Sequence, residues 1–150
     1  MNPELSFQND FIKEFKARGW YAVHLSPPTC AGWVDVISIH SPFAIMAELK
    51  DFNKSDRNKK LKDLFTTAQF PRYIQQFGDG VGCIWLAFID TTPEIEFDYY
   101  CVPIFDKTQL MSFWKMDVKT AISKMLGFIS CGGMVKFMIE LTEKNVPVFV

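Results

Sequence analysis

The hydrophobic pattern of the chain first predicts an amphipathic helix. Phe7, Phe11 and Phe15 recur every four residues, which places their side chains along one face of a helix. We expect this helix over residues 3–18, and we expect Gly19 to end it.

Three apolar segments that favour strands follow the helix. The segment WYAVHL at 20–25 predicts a strand, and the paired prolines of SPPTCAG predict a loop at 26–32. The segments VDVISIH at 34–40 and FAIMAELK at 43–50 are close enough to form an antiparallel hairpin. Because Pro42 cannot adopt a positive φ, we expect a connection slightly wider than a tight type I′ turn.

The remaining pattern completes an α/β fold. A near-continuous apolar run predicts a central strand, and Pro103 moves the following strand towards an edge of the sheet. The predicted order is αβββαβ, a mixed central sheet flanked by helices, with β and α additions at the C-terminus. In order, we predict a helix at 61–77 with a kink or restart at Pro71, the central strand at 82–90, a loop at 91–97, the edge strand at 99–104, helices at 107–116 and 118–126, and a last strand at 134–141.

The composition is that of a globular protein. Hydrophobic residues make up 49% of the 150 positions and charged residues 22%, which fits a single domain, residues 1–150, with a substantial core. No charge-free apolar run is long enough to span a bilayer, and the N-terminus lacks a signal-peptide pattern. The four cysteines are scattered, which favours reduced thiols and a cytoplasmic protein, in the host cytoplasm if a phage encodes it.

Positive charge is concentrated in one short segment, although the net charge is only −1. We call residues 53–62 the basic segment. Its charges could face solvent as an ordinary polar surface, or they could contact the phosphates of DNA. Its cations are Lys54, Arg57, Lys59, Lys60 and Lys62.

The predicted hairpin brings two acidic residues together. If the turn is centred between residues 41 and 42, facing residues have numbers that sum to 83, so Asp35 faces Glu48. Two carboxylates this close repel unless a cation lies between them, and Mg²⁺ is the cation that such hard oxygen ligands favour. Lys50 lies on the same strand face as Glu48 and could act on a water or on a phosphate. The alternative is a pair of charges at a solvated strand end.

An acidic residue followed about a dozen positions later by Glu-x-Lys resembles the PD-(D/E)xK nuclease superfamily. The motif here is Val34-Asp35 followed by Glu48-Leu49-Lys50, on two paired strands behind a helix. The position before the aspartate holds Val34 where the family usually has proline. The order αβββαβ is also that of the family, whose core is the restriction-endonuclease-like fold.

Two further residues match Holliday-junction resolvases (RecU-like) and VRR-type nucleases. Glu4 matches an acidic residue that these relatives carry on the first helix near the metal, and Gln69 matches a glutamine on the helix after Glu-x-Lys. Each also has a simpler interpretation, as an acid at a helix N-terminus or as a surface amide. The segment 99–114 is similar to the strand and helix that follow the core in RecU-type resolvases, so the resemblance covers about 4–116.

The resemblance implies a metal-dependent DNA endonuclease that leaves 5′-phosphate and 3′-hydroxyl ends. Asp35, Glu48 and Glu4 would hold Mg²⁺, for which Mn²⁺ can substitute, and Lys50 and Gln69 would complete the catalytic residues. The resolvase branch implies branched DNA as substrate and a homodimer that cuts two strands. The alternatives are a nuclease for flaps, nicks or duplex DNA and a non-catalytic DNA-binding protein with the same fold.

Overall fold

In the described part of the chain, six strands form one mixed sheet in which strands that are neighbours in the sequence are neighbours in space. A computed structural model describes residues 2–25, 34–93 and 97–144. Strands β3 and β4 are parallel, and the other neighbouring pairs are antiparallel. The strands are β1 (Tyr21–His24), β2 (Val36–His40), β3 (Phe43–Phe52), β4 (Ile84–Asp90), β5 (Tyr99–Ile104) and β6 (Leu126–Phe128).

The hairpin of β2 and β3 has the predicted register. His40 pairs with Phe43 and Val36 pairs with Ala47, so the residue numbers of each pair sum to 83. The connection is only two residues long, Ser41 and Pro42, joined by a cis peptide bond. The expectation of a wider loop was therefore wrong: the argument from the φ of proline excludes a type I′ turn but not every two-residue connection.

Helices cover both faces of the sheet. On one face, α1 (Pro3–Ala17) and α5 (Cys131–Lys144) pack on a core that includes Phe11, Leu49 and Met138. The three other α-helices among the described residues pack on a second core that includes Phe52 and Phe88. They are α2 (Gln69–Gly78), α3 (Lys107–Trp114) and α4 (Val118–Ser123). The described part of the chain contains no helix long and apolar enough to cross a membrane.

The predicted helix at 61–77 is two elements. A short 3-10 turn covers Leu61–Leu64, and α2 begins only at Gln69. Pro71 lies in the first turn of α2, where a helix has no partner for the missing N–H, so the proline fits a restart. This break is what places Gln69 at the start of a helix.

The C-terminal part differs from the prediction. The segment at 134–141 is not a strand but lies within α5, because Met134, Val135, Met138 and Ile139 are buried at helical spacing. The glycine pair lies in the first turn, where Ser130 accepts a hydrogen bond from the N–H of Gly133. The predicted helix at 118–126 ends at Ser123, and the sheet gains β6.

The prediction of a central strand agrees with the structure, whereas the predicted edge strand, β5, has β6 as a further neighbour along part of its length. Strand β4 lies between β3 and β5 and is almost fully buried, as a central strand should be. Strand β5 pairs with β6 only along Tyr99–Cys101, so Pro103 lies on the part of β5 that β6 leaves unpaired. The described cysteines (Cys83, Cys101 and Cys131) are free thiols. The predicted loop at 26–32, with Cys30, and residues 94–96 of the loop at 91–97 lie outside the described residues.

Candidate metal centre

Three elements position the carboxylates of the candidate site. Glu4 lies in the first turn of α1, where the side chain of Asn2 accepts a hydrogen bond from its N–H at 2.9 Å. Asp35 directly precedes β2, and its Oδ2 accepts a hydrogen bond from the N–H of Leu49 at 2.8 Å. Glu48 lies on β3 and is 1% exposed.

These carboxylates converge. Glu4, Asp35 and Glu48 each offer an oxygen, and these oxygens all lie within 4.8 Å of one another. The sequence predicts the pairing of Asp35 with Glu48 from the hairpin. It brings in Glu4 only through the family resemblance, and the structure places that residue in the same cluster.

Lys50 lies beside the cluster. Its Nζ is 3.6 Å from Glu48 Oε1 and 3.7 Å from Glu4 Oε1, and its side chain is 12% exposed. The ammonium group also lies 5.3 Å from the centre of the Phe65 ring, within the range of a cation–π contact. The amine of Lys50 is therefore within reach of two of the three carboxylates.

Gln69 fixes the orientation of Glu48. Its Nε2 donates a hydrogen bond to Glu48 Oε1 at 2.6 Å, and its Oε1 accepts one from the N–H of Thr66 at 2.8 Å. Because both ends of the amide are engaged, the amide cannot rotate without losing a hydrogen bond. The glutamine thus lies at the carboxylate cluster.

Tyr73 is a site residue that the sequence analysis missed. It lies one helical turn after Gln69, is fully buried, and lies close enough to Glu48 for its hydroxyl to lower the pKa of that carboxyl group. Within the described residues neither the Tyr73 hydroxyl nor Glu48 Oε2 has a hydrogen-bond partner. The four-residue spacing from Gln69 was the available signal.

The electrostatics of the cluster favour a bound cation. Burial raises the pKa of Glu48 well above its usual range, and the neighbouring Asp35 raises it further, although Lys50 opposes both effects. Burial also raises the pKa of Glu4, again against the effect of Lys50. An added cation would favour the ionised form of both groups.

The donor set fits a divalent metal. The cluster offers only carboxylate oxygens, which are the ligands that Mg²⁺ prefers, and Glu48 Oε2 has no hydrogen-bond partner among the described residues. A buried polar atom without a partner is costly unless something else satisfies it. Glu4, Asp35 and Glu48 are the residues that would hold the ion.

The cations of the basic segment differ in their exposure and in their ion pairs. Arg57 forms an ion pair with the buried Asp90 at 2.5 Å, which anchors the segment to the end of β4. Lys59 pairs with Asp56, and Lys60 pairs with Asp117, while both amines remain about half exposed. Lys54 and Lys62 are also exposed. The segment thus presents cations at the surface, with Arg57 held mainly by the fold.

Comparisons with known proteins identify the fold. No protein-family model matches the sequence, and no curated protein is detectably similar to it. The structure does match that of Hjc, a Holliday junction resolvase from the archaeal hyperthermophile Archaeoglobus fulgidus. The TM-score is 0.53, and the match covers 87% of this chain and 98% of Hjc at 13% identity. The chain has the fold of this resolvase. The predicted restriction-endonuclease-like core with a mixed sheet is therefore confirmed.

Proposed function

We propose that the chain is a metal-dependent endonuclease that hydrolyses DNA phosphodiester bonds. The observation that carries this proposal is the convergence of Glu4, Asp35 and Glu48 within 4.8 Å, with Lys50 beside them. The fold shared with a resolvase supports the proposal, because it places this cluster on a scaffold that a nuclease uses. Residues 1–150 would form one nuclease domain.

The reaction is the attack of water on a phosphodiester in line with the leaving oxygen. When bound, a divalent ion such as Mg²⁺ or Mn²⁺ lowers the pKa of a water and neutralises charge on the phosphate. Asp35, Glu48 and Glu4 would hold the ion, and Gln69 keeps Glu48 oriented. As a cation, Lys50 would orient the water and stabilise the negative charge that develops on the phosphate oxygens.

The DNA would lie across the metal centre and the basic segment. This segment begins three residues after Lys50, so its exposed amines are placed to contact phosphates that flank the scissile bond. We propose Lys54, Lys59, Lys60 and Lys62 as these contacts, with Arg57 holding the segment in place.

Within nucleases we favour a branched or four-way junction as the substrate, since the matched fold is that of a junction resolvase. A junction carries two equivalent strands, so this substrate requires two copies of the site and hence a homodimer. Such an enzyme would serve DNA recombination or repair in the cytoplasm, in a phage or mobile-element setting. Flaps, nicked DNA and duplex DNA are the rival substrates.

One cleavage panel tests the proposal. The purified protein is incubated with four-way junctions, flaps, nicked duplex, intact duplex and single strands, with Mg²⁺ or with chelator. We expect metal-dependent cleavage that is fastest on junctions. Cleavage of flaps or duplex instead would redirect the substrate assignment, and DNA binding without cleavage of any substrate would indicate a non-catalytic protein.

Matched variants test the site itself. Asp35→Asn, Glu48→Gln and Lys50→Met should each lower cleavage at least about 100-fold, as is typical when a charge-stabilising group is removed. The controls Asp63→Asn, Glu140→Gln and Lys136→Met make the same chemical changes at exposed positions and should leave cleavage near the wild-type rate. Full activity in Asp35→Asn or Lys50→Met would refute the site assignment.

A further inference from the structure

A cavity lies on the same sheet face as Glu48 and Lys50. It has a volume of about 570 Å³ and extends from the end of β3 towards β5, β6 and α4. Such a volume is within the range of about 300–1,000 Å³ that is typical of ligand pockets. Phe52, which lines it, follows Lys50 by two residues, or about 6.6 Å along a strand. The cavity is therefore adjacent to the proposed cleavage centre.

Aromatic and apolar side chains form its interior. Phe52 and Tyr100 are almost completely buried and form its base, with their ring centres 6.3 Å apart. Phe97 lies edge-on to Tyr100 and, together with Met125, is only half-buried, so both can contact a ligand. This surface suits a flat aromatic group, which gains both apolar burial and ring contacts.

The charged residues that line the cavity favour an anion. Of the described residues that line it, Lys54, Arg57 and Lys119 are cationic and only Asp90 is acidic. Asp90 is already paired with Arg57, and its Oδ1 accepts a hydrogen bond from the N–H of Thr92. The described lining therefore combines an apolar interior with more cationic than acidic side chains, and of these cations Lys119 is exposed.

We propose that this cavity binds an unpaired nucleotide of the DNA substrate, next to the scissile phosphate. A nucleotide has both features that the cavity selects for: a flat aromatic base and an anionic phosphate. Base unstacking is least costly where the DNA is already unpaired or branched, so the cavity would favour such sites. This inference rests on the proposed function, and it names the feature of the substrate that is recognised.

The test replaces single nucleotides of the DNA with abasic sites. A junction or flap is labelled, abasic sites are placed one at a time within three nucleotides of the branch, and binding is measured by fluorescence anisotropy in EDTA and with Ca²⁺. Base stacking on aromatic side chains contributes about 1–3 kcal/mol per base, so one abasic position should weaken binding about 5- to 140-fold. Equal affinity at every position would overturn the proposal.

Two tryptophan variants then locate the effect. Ser123 is exposed and lines the cavity, so Ser123→Trp should block it and remove the difference between the intact and abasic substrates. Thr120→Trp adds the same side chain to the exposed surface of α4 outside the cavity lining and should keep the difference. A difference that persists in a folded Ser123→Trp protein would refute the location.

Two further measurements, dAMP binding and cleavage in Mg²⁺, distinguish this proposal from its alternatives. Micromolar binding of dAMP, together with indifference to abasic DNA, would make the cavity a free-nucleotide site and overturn the DNA assignment. Cleavage in Mg²⁺ without any abasic effect would leave the nuclease proposal standing and remove only this inference. An abasic effect without cleavage of any substrate would leave the binding of an unpaired nucleotide standing and remove the nuclease proposal.

Discussion

Magnesium should stabilise the folded chain, and this stabilisation should depend on Glu48. The carboxylates of Glu4, Asp35 and Glu48 repel one another in the folded state and are separated in the unfolded chain, so a cation would bind the folded form. A ligand that binds only the folded state adds about 2.7 kcal/mol at a concentration 100 times its Kd. For a protein of this size, 1 kcal/mol shifts Tm by about 2–4 °C, which predicts a rise of roughly 5–11 °C.

The metal-free protein should also show a defined pH dependence. The pKa of Glu48 is raised in the folded state, so its contribution to stability is present below its ordinary pKa and is lost as the pH rises through the raised value. Glu48→Gln cannot ionise at this position, so it should show only the smaller loss that comes from the raised pKa of Glu4. The stabilising effect of Mg²⁺ should grow with pH in the wild type, because the cation replaces a proton.

Thermal unfolding between pH 5 and pH 8, with and without Mg²⁺, measures both effects. Glu140→Gln is the matched control, since it makes the same change at an exposed position of α5 on the other sheet face. We expect a metal-dependent rise in Tm in the wild type and in Glu140→Gln, and little rise in Glu48→Gln. The reasoning fails if Glu48→Gln responds to Mg²⁺ as the wild type does, or if the wild type does not respond.

Three other changes give separate tests. Tyr73→Phe removes a buried hydroxyl that has no hydrogen-bond partner among the described residues, so the free energy of unfolding should change by less than about 1 kcal/mol. Mg²⁺-dependent cleavage should nevertheless fall about 10- to 100-fold, because the hydroxyl lowers the pKa of Glu48 and so favours the ionised form that binds metal. Gly127→Ala would place a Cβ 2.3 Å from Cδ2 of Phe97, so urea unfolding should show a loss of about 1–3 kcal/mol; an unchanged midpoint would contradict this contact. Replacing Lys59 and Lys60 with Ala should lower the slope of log affinity against log salt by about 1.8 on duplex DNA, if each amine contacts one phosphate. The same change at the exposed Lys136 and Lys144 of α5 should leave that slope unaltered.

The sequence was sufficient where the determining interactions are local. The register of the β2–β3 hairpin follows from its short connection and the alternation of side chains, so the proximity of Asp35 and Glu48 could be worked out by counting. Tyr73 could have been found in the same way, because it lies one helical turn after Gln69. Glu4 could not, since its approach to β3 depends on how α1 packs against the sheet.

The C-terminal part shows where local patterns fail. In the segment at 134–141, apolar residues are so frequent that both a strand and a helix bury an acceptable set, and the glycine pair suggested a break. Packing against α1 decides for the helix. The cavity next to β3 could not be predicted from the sequence either, because its lining combines residues from β3, the basic segment, β5 and the region of α4 and β6.

The hydrogen bond from Gln69 to Glu48 affects which ion the site can select. Glu48 Oε1 is held by the Gln69 amide, which leaves Oε2 as the oxygen available to a ligand. Ca²⁺ takes six to eight oxygens and often binds a carboxylate through both, whereas the smaller Mg²⁺ accepts single oxygens in an octahedral arrangement. Bidentate binding by Glu48 would make Oε1 serve the ion and the 2.6 Å hydrogen bond from Gln69 at once, which weakens both contacts. One buried amide would thus discriminate against the larger ion, and Gln69→Ala should narrow the difference between Mg²⁺ and Ca²⁺ affinity.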